Sequence, residues 1–462
     1  MEIKTDICVI GAGPAGIAAA IAASTENIGT FEEGSRRREV LLVDSNAEIG
    51  KKLLMTGNGR CNFAHDGLEE DAYRGSFKDV GALLYERMGS DFVLDFMRNI
   101  GVFSRNIKGY YYPASNQAVS VVRALDYAVF KQGIKTLLNS KVIKAKKDEA
   151  GEFIITVLTS SNNKKNKKMV SEEAVIKAKR VIFACGGKAA ANSGSDGSIN
   201  SVILGLSEGI KFNKQLPALC GLILDEANSD LIKGARAFAR VSLFGIKEDA
   251  EKELLSSDSG EIVFTENVIS GERKCSVSGL PVMSVSRFAS EALFNALKKE
   301  EGKAFYNELE LKVDFAEDLS EKDILIHLLT HVGDKLSIAL CGIVNDKVAR
   351  LIELKGGIKG KINEENAVIA ASLIKNMTFK VINTRGYEDS QVTTGGIDLS
   401  ETEPDSFELK KIKGAYAAGE LLDLDGKCGG YNITFALESG FIAGSAAEAS
   451  LYDNLKDFYD KN

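Results

Sequence analysis

The 462-residue sequence predicts an α/β fold whose parallel sheet starts at the N-terminus, is interrupted by a long insertion and is completed near the C-terminus. Three stretches predict it. Ile7-Cys-Val-Ile10 runs into Gly11-Ala-Gly-Pro-Ala-Gly16 and the helix former Ile17-Ala-Ala-Ala-Ile-Ala-Ala23. Arg180-Val-Ile-Phe-Ala-Cys-Gly-Gly187 is a second apolar run ending in glycines. Gly414-Ala-Tyr-Ala-Ala-Gly-Glu420 is a third, followed by Gly429-Gly-Tyr-Asn432 at the start of a long helical pattern.

The first stretch has a mechanism. A short run of apolar residues reads as a strand buried on both faces. Gly11 allows the tight turn, Gly13 lets the backbone approach a pyrophosphate, and Gly16 lets the helix pack on the strand. With Pro14 and Ala15 at the helix start, free N–H groups and the helix dipole hold the diphosphate. Val40–Val43 reads as the second strand, with Asp44 and Ser45 at its end, where an acid bonds the adenosine ribose. Asp44 lies further on than the usual spacing of about 20 residues, which an inserted surface loop at Asn27–Arg38 accounts for. The alternative is that Asp44 only caps a strand. The unit is Rossmann-like and dinucleotide-binding. Glu2, Asp6 and the interrupting glycines argue against a secretory signal.

Composition narrows the partners. Charged residues at 27% and hydrophobic ones at 44% fit a globular protein. A net charge of −7 leaves no basic excess for a nucleic acid or an anionic membrane. Seven scattered cysteines, none spaced CxxC, fit a reducing cytoplasm and offer no metal or disulfide framework. His327 and His331 lie four residues apart, but His-Leu-Leu-Thr-His lacks the glutamate of a metalloprotease helix, so no metal site is expected.

Gly50–Asn62 carries Lys51, Lys52, Thr56, Gly57, Asn58, Gly59, Arg60, Cys61 and Asn62, a backbone-rich, cationic loop suited to phosphates and ring edges. By composition alone it is also an ordinary loop. Tyr110–Tyr112 read as a strand edge or packing cluster, Lys141–Lys146 and Glu152–Leu158 as paired strands, and Lys164–Lys168 as a hairpin tip. Gly356–Gly360 follows no clear strand, so a second dinucleotide fingerprint is absent. The expected division is a first nucleotide-binding part at 1–199, an inserted β-rich part at 200–298, an inserted helical part at 299–380 and a second nucleotide-binding part at 381–462. In Asp323–Leu354, Ile324, Leu328, Leu336, Leu340, Ile343, Val348 and Leu351 recur at near-helical spacing.

The wording of Gly50–Asn62 resembles the GKKLL-TGNGRCN loop of the BaiN-like (YhiN-type) flavoproteins, a family that includes enzymes called aminoacetone oxidases. Gly109–Gln117, Ser193–Gly197, Gly260–Gly271 and Gly429–Asn432 extend the resemblance. The chain departs from it with Tyr for Phe near 111, Cys185 for Thr, Ile199-Asn200 for Gly-Tyr, and Ile210 at a usual Gly-His. The resemblance implies a fold of the two-dinucleotide-binding-domain flavoprotein type with FAD as cofactor. It implies that Val142 lends its backbone to the adenine and that Cys185, Gly186 and Gly187 touch the cofactor. Gly419 and Glu420 would lie by the ribityl and pyrophosphate groups. Gly429, Gly430, Tyr431, Asn432 and Ile433 would open a helix aimed at the flavin N1–C2 edge. It further implies hydride transfer between flavin and a small organic substrate, with NADH or NADPH as a transient co-substrate. Aminoketone oxidation by oxygen and a non-catalytic flavin-binding role are the alternatives; a tRNA-modifying flavoprotein is disfavoured by the acidity. No catalytic group is assigned. Arg60 is the candidate cation beside the ring, Cys61 a redox thiol or a packed residue, and Tyr431 a proton donor or a packed ring.

Overall fold

The computed structural model describes residues 2–24, 38–66, 72–76, 89–162, 169–226, 229–269, 271–298 and 305–459. The expected loop at 27–38, apart from Arg38, and the tip at 164–168 lie outside the described residues. The chain forms two units: residues 1–215 with 392–462, and residues 216–391.

The first unit opens with β1 (Glu2–Ile10), α1 (Pro14–Ser24) and β2 (Val40–Val43). Every residue of α1 from Ala15 to Ser24 is buried, as expected of a helix apolar all round. Then follow β3 (Ala64–His65), β4 (Tyr73–Gly75), α2 (Gly89–Asn99), β5 (Ser104–Ile107) and β6 (Tyr110–Pro113). The tyrosine run is the middle strand of a small β3-β6-β5 sheet. After α3 (Ala118–Lys131) come β7 (Lys135–Leu137), β8 (Ser140–Lys147), β9 (Phe153–Asn162), β10 (Met169–Phe183), α4 (Ile199–Leu206) and β11 (Phe212–Ala218). Lys141–Lys146 and Glu152–Leu158 do lie in adjacent antiparallel strands, with Val142 opposite Val157.

The second unit is a closed antiparallel barrel with a helical annex. Its strands are β12 (Leu222–Leu224), β13 (Arg236–Ile246), β14 (Lys252–Ile269) and β15 (Glu272–Gly279), then, after α5 (Leu280–Lys298), β16 (Glu308–Asp314). Helices α6 (Glu321–Leu329), α7 (Asp346–Lys355) and α8 (Glu364–Asn376) precede the closing strand β17 (Met377–Thr384). The order round the barrel is β12-β15-β14-β13-β16-β17. One of the six strands, β16, and the first half of β17 therefore come from the stretch expected to be helical, 299–380. Leu309, Leu311 and Val313 of β16 face inward at period two, a pattern too short to stand out beside three helices. The near-helical run of apolar residues is mostly core: Ile324, Leu328, Leu336, Leu340, Val348 and Leu351 are buried. Its helices are separate because Ser320 and Asn345 cap new starts and Gly333 takes φ +96° between them.

The chain returns through β18 (Val392–Ile397), which pairs with β11, and adds β19 (Ala415–Ala417), β20 (Leu424–Gly426) and α9 (Tyr431–Tyr459). The large sheet has the order β7-β2-β1-β10-β9-β8, with β19 on β10. β1 is parallel to β2 and β10, and β19 is parallel to β10. Both ends of the sequence thus build one sheet. α9 lies on α1 at backbone contact: a Cβ on Gly440 would stand 2.1 Å from the Ala15 oxygen, and one on Gly444 2.2 Å from the Ala19 oxygen.

Gly440→Ala is accordingly expected to lower stability by at least about 1–3 kcal/mol, since backbone atoms cannot rotate aside. Gly205→Ala, in α4 with nothing within 4 Å of the added carbon, should raise it by about 0.4–1 kcal/mol. Urea midpoints of the two variants check the contrast.

Candidate functional site

The N-terminal turn has the geometry its glycines predict. Gly11 takes φ +104°, and a Cβ there would stand 2.4 Å from the Ala184 oxygen of the strand behind it. A Cβ on Gly16 would stand 1.7 Å from the Gly11 oxygen, so α1 can meet β1 only through glycine. Gly13 is different, with nothing within 4 Å of its missing side chain. Pro14 is the first residue of α1, where its lack of an N–H costs nothing. Beyond it the first-turn N–H groups have no intrahelical acceptor, and Ala15 and Gly16 stand among them.

Asp44 holds this turn from the end of β2. Its Oδ2 accepts from the Ala12 N–H at 2.6 Å, and its Oδ1 from the N–H and side-chain amide of Asn46 at 2.7 and 2.9 Å. Oδ2, which accepts only one of these bonds, keeps a second lone pair for a ribose hydroxyl. Asn46 also donates to the Ser193 carbonyl (2.8 Å), and Lys51 to the Asn46 Oδ1 and the Asn192 carbonyl (3.1 and 2.7 Å). Ser45 is exposed. Val142, buried in β8, sits two residues after Ser140, whose N–H donates to the Asp44 carbonyl at 2.8 Å.

The loop after β10 meets elements from both ends of the chain. A Cβ on Gly187 would stand 2.4 Å from Thr393 Oγ1 and 2.9 Å from Glu420 Oε1. Thr393 Oγ1 accepts from the N–H groups of Lys188 and Ala189 at 2.7 and 2.9 Å. Glu420 Oε1 accepts from the Thr393 N–H at 3.0 Å, and Oε2 from Lys52 Nζ at 2.7 Å. Lys52 and Glu420, expected separately, form one half-buried ion pair. Thr393 is the residue that sequence reasoning missed; its signal was the Thr-Thr-Gly-Gly run. Gly419, at φ +68°, lies against Ala15 and donates to Ser439 Oγ at 2.9 Å. Gly186 (φ +71°) leaves room for Ser195.

The Thr56–Asn62 loop turns through left-handed backbone at Gly57, Asn58, Gly59 and Cys61. Arg60 Nε donates to the Gly57 carbonyl at 3.1 Å, and its guanidinium stacks 4.7 Å from the centre of the Tyr112 ring. The Cys61 N–H donates to the Thr56 carbonyl at 3.0 Å. The Cys61 thiol is buried, which pushes it up to about 12, and burial also raises Cys185, which donates to the Ile10 carbonyl at 3.1 Å. Burial thus disfavours the thiolate at both, and Cys61 is buried in the core. Asn62 is buried.

Gly429 and Gly430, at φ +126° and +101°, open α9 against this loop. A Cβ on Gly430 would stand 2.6 Å from the Ala64 backbone, and Thr434 Oγ1 donates to the Phe63 carbonyl at 3.1 Å. Asn432 spends its side chain on the preceding turn: Oδ1 accepts from the Gly426 N–H at 2.8 Å, and Nδ2 donates to the Gly426 carbonyl at 2.9 Å. Only its backbone is left to face a ring, as for Ile433. Tyr431 is buried, its carbonyl accepting from the Tyr73 hydroxyl at 3.0 Å. Near them, burial pushes the Glu438 carboxyl up to about 8, against the Gly89 N–H, which lowers it. Among the described residues Glu438 Oε1 has no hydrogen-bond partner.

His327 and His331 serve the barrel unit. Nε2 of His327 lies 2.8 Å from the Ala339 carbonyl, and Nδ1 of His331 lies 3.0 Å from the His327 carbonyl. Among the described residues no group of three or more His, Cys, Asp or Glu is placed to hold a metal, and no helix is long and apolar enough to cross a membrane.

FAD fits these residues. The open space at Gly13 and the helix start suit a diphosphate, Asp44 suits a ribose, and the Gly429–Gly430 turn brings backbone and a helix N-terminus to a second place. A flavin ring bound there supplies hydride chemistry that no side chain offers. The fold and site define an FAD-dependent oxidoreductase. The chain belongs to the HI0933-like family: the family described as "HI0933-like protein Rossmann domain" matches residues 5–446. It is 32% identical over 454 residues to the 3-dehydro-bile acid delta(4,6)-reductase of Clostridium scindens, covering 96% of this chain and 98% of that one. It is 25% identical over 449 residues to the ribosomal RNA dihydrouridine synthase of Escherichia coli, covering 95% of this chain and 96% of that one. A solved 3-ketosteroid-delta4-(5alpha)-dehydrogenase from Rhodococcus jostii RHA1 is 13% identical with a TM-score of 0.45, covering 96% of this chain and 97% of that one.

Gly13→Glu is expected to yield a folded, colourless protein, because the space around Gly13 admits a side chain but a carboxylate there repels a diphosphate. An absorbance spectrum together with an unchanged circular dichroism melt of the FAD-free proteins checks it. Glu438 gives a pH dependence. The folded chain keeps a proton that the unfolded chain loses near its ordinary value of 4.5, so this stabilisation is complete below that pH and is lost as pH rises towards about 8. Glu438→Gln should match wild type at pH 4.5 and exceed its stability at pH 8, the gap widening by roughly 1.4 kcal/mol or less per pH unit; urea titrations across the range test it.

Proposed function

We propose that this enzyme reduces a carbon–carbon double bond conjugated to a carbonyl in a small polycyclic ketone, taking electrons from NADH or NADPH. The observation that carries the reading is the full-length similarity to a relative named for reducing steroid double bonds. The more distant relatives are named for making dihydrouridine. As chemistry, both names describe adding two hydrogens across a C=C bond next to a carbonyl. That shared step supports a reductase over an aminoketone oxidase.

The chain's own residues suit the step. Burial raises both site thiols, which favours hydride transfer over a dithiol relay. Arg60, fixed by Gly57 and Tyr112, offers a permanent cation to a reduced ring or an anionic substrate. The net charge of −7 favours a small substrate over a ribosomal RNA, whose binding rests on phosphate contacts.

The test is anaerobic. The purified protein should be yellow, bleach with NADH or NADPH, and be reoxidised by a 4,6-dien-3-one bile acid to a product carrying two added hydrogens per reduced bond. Reoxidation by oxygen during aminoketone turnover alone, or dihydrouridine formed only in ribosomal RNA, would replace this reading.

A further inference from the structure

The reduction just proposed adds a hydride to one carbon, and the other end of the conjugated system needs a proton. The sequence offers Tyr431 for it, but that ring is buried and stacked. The structure holds another group at the same turn. His65 ends β3, opposite Tyr110 of β6. Its ring stacks on Tyr431 with centroids 5.4 Å apart and meets Tyr110 edge-on at 4.8 Å. Its Cδ2 lies 3.7 Å from where a Cβ on Gly429 would stand, and no side chain at 429 could share that space with Tyr110. The imidazole is therefore packed directly on the glycine turn that opens α9.

Its orientation is set chemically. Nδ1 contacts the Asp66 carbonyl. A carbonyl can only accept, so Nδ1 carries a hydrogen and the neutral ring has its bare, basic nitrogen at Nε2. Nε2 lies beside the Gly109 turn, 3.3 Å from where a Cβ there would stand, with no hydrogen-bond partner among the described residues, and the residue is half-buried. The hydroxyl of Ser90 in α2 donates to the His65 carbonyl and ties down the backbone (2.5 Å). The titratable groups around the ring are the phenols of Tyr110, Tyr431 and Tyr73, with Tyr73 edge-on to Tyr431 at 5.7 Å, and the Asp66 carboxylate. Asp66 is held below its usual range by the Tyr111 hydroxyl and the Asn106 amide. The other two histidines lie in the barrel unit with their rings on backbone carbonyls.

We propose that His65 is the general acid of the reduction, giving the Nε2 proton to the substrate. The inference rests on the reductase reading. In the step the Nε2–H bond breaks and a C–H or enol O–H bond forms. Both electrons that reduce the C=C bond arrive with the hydride, which comes from the reduced cofactor and ultimately from NAD(P)H. His65 itself is neither oxidised nor reduced; it ends neutral and regains its proton from water.

The test compares wild type with His65→Gln, both loaded with FAD and showing equal FAD affinity and the same bound-flavin spectrum. Each is reduced with dithionite and mixed anaerobically with the 4,6-dien-3-one. The wild-type reoxidation rate should fall with rising pH, as a step that needs a proton donor does. The variant should be slower by about 10²-fold or more and should lack that fall, while its bleaching by NAD(P)H is unchanged. A variant with the wild-type rate and pH profile overturns the proposal. A wild type that the dienone does not reoxidise sinks the reductase reading instead. The flavin midpoint potential, measured against pH, then decides on His65: a wild-type bend that His65→Gln removes supports it as a proton-handling group, and a bend retained in the variant overturns it.

Discussion

The backbone-to-backbone contact between the first and last helices is the constraint on which the rest depends. α1 can lie against β1 only because position 16 is glycine, and α9 can lie against α1 only because positions 440 and 444 are glycines. Alanine fills six of the eleven places in α1, so the helix is enclosed on every side with little side-chain entropy lost. That close fit puts the Gly419–Glu420 turn next to the N-terminal glycine turn, with Gly419 against Ala15. Without it the two halves of the site would not share a space.

The polar groups at the join follow from this approach. Lys52 comes from the N-terminal loop, Glu420 and Thr393 from the returning chain, and the N–H groups of Lys188 and Ala189 from the end of β10. Thr393 is buried, so its hydroxyl oxygen must be satisfied locally, and two backbone donors do so. Lys52 neutralises the Glu420 carboxylate at this half-buried join. The result is a rigid frame in which backbone, not side chains, faces much of the cofactor's place. That is an economical way to hold a large anionic ligand.

Much of the nucleotide-binding frame was legible because its motifs are local. The spacing of Gly11, Gly13 and Gly16 states a turn, an approach and a packing contact, and Asp44 follows a four-residue apolar strand. The roles of Asn432 and Cys61 were not legible. An asparagine at a helix start reads as a ligand or as a brace depending on the turn before it, and here it bonds Gly426. A cysteine's reactivity depends on burial, which no neighbouring residue announces. The barrel was also obscured, since β16 and β17 are separated by four helical segments and pair only through contacts distant in sequence.

By itself the sequence determined the strand–turn–helix unit, the alternation that makes β13 and β16 two-faced, and the glycines without which certain backbones could not touch. These are decided by steric limits and periodicities acting over a few residues. Tertiary structure alone decided that Lys52 meets Glu420, that Thr393 serves two N–H groups, and that His65 lies on the Gly429 turn between Tyr110 and Tyr431. The physical reason is that charge pairing, burial and ring stacking depend on distances between residues tens to hundreds of positions apart, which exist only once the two ends of the sheet have closed together.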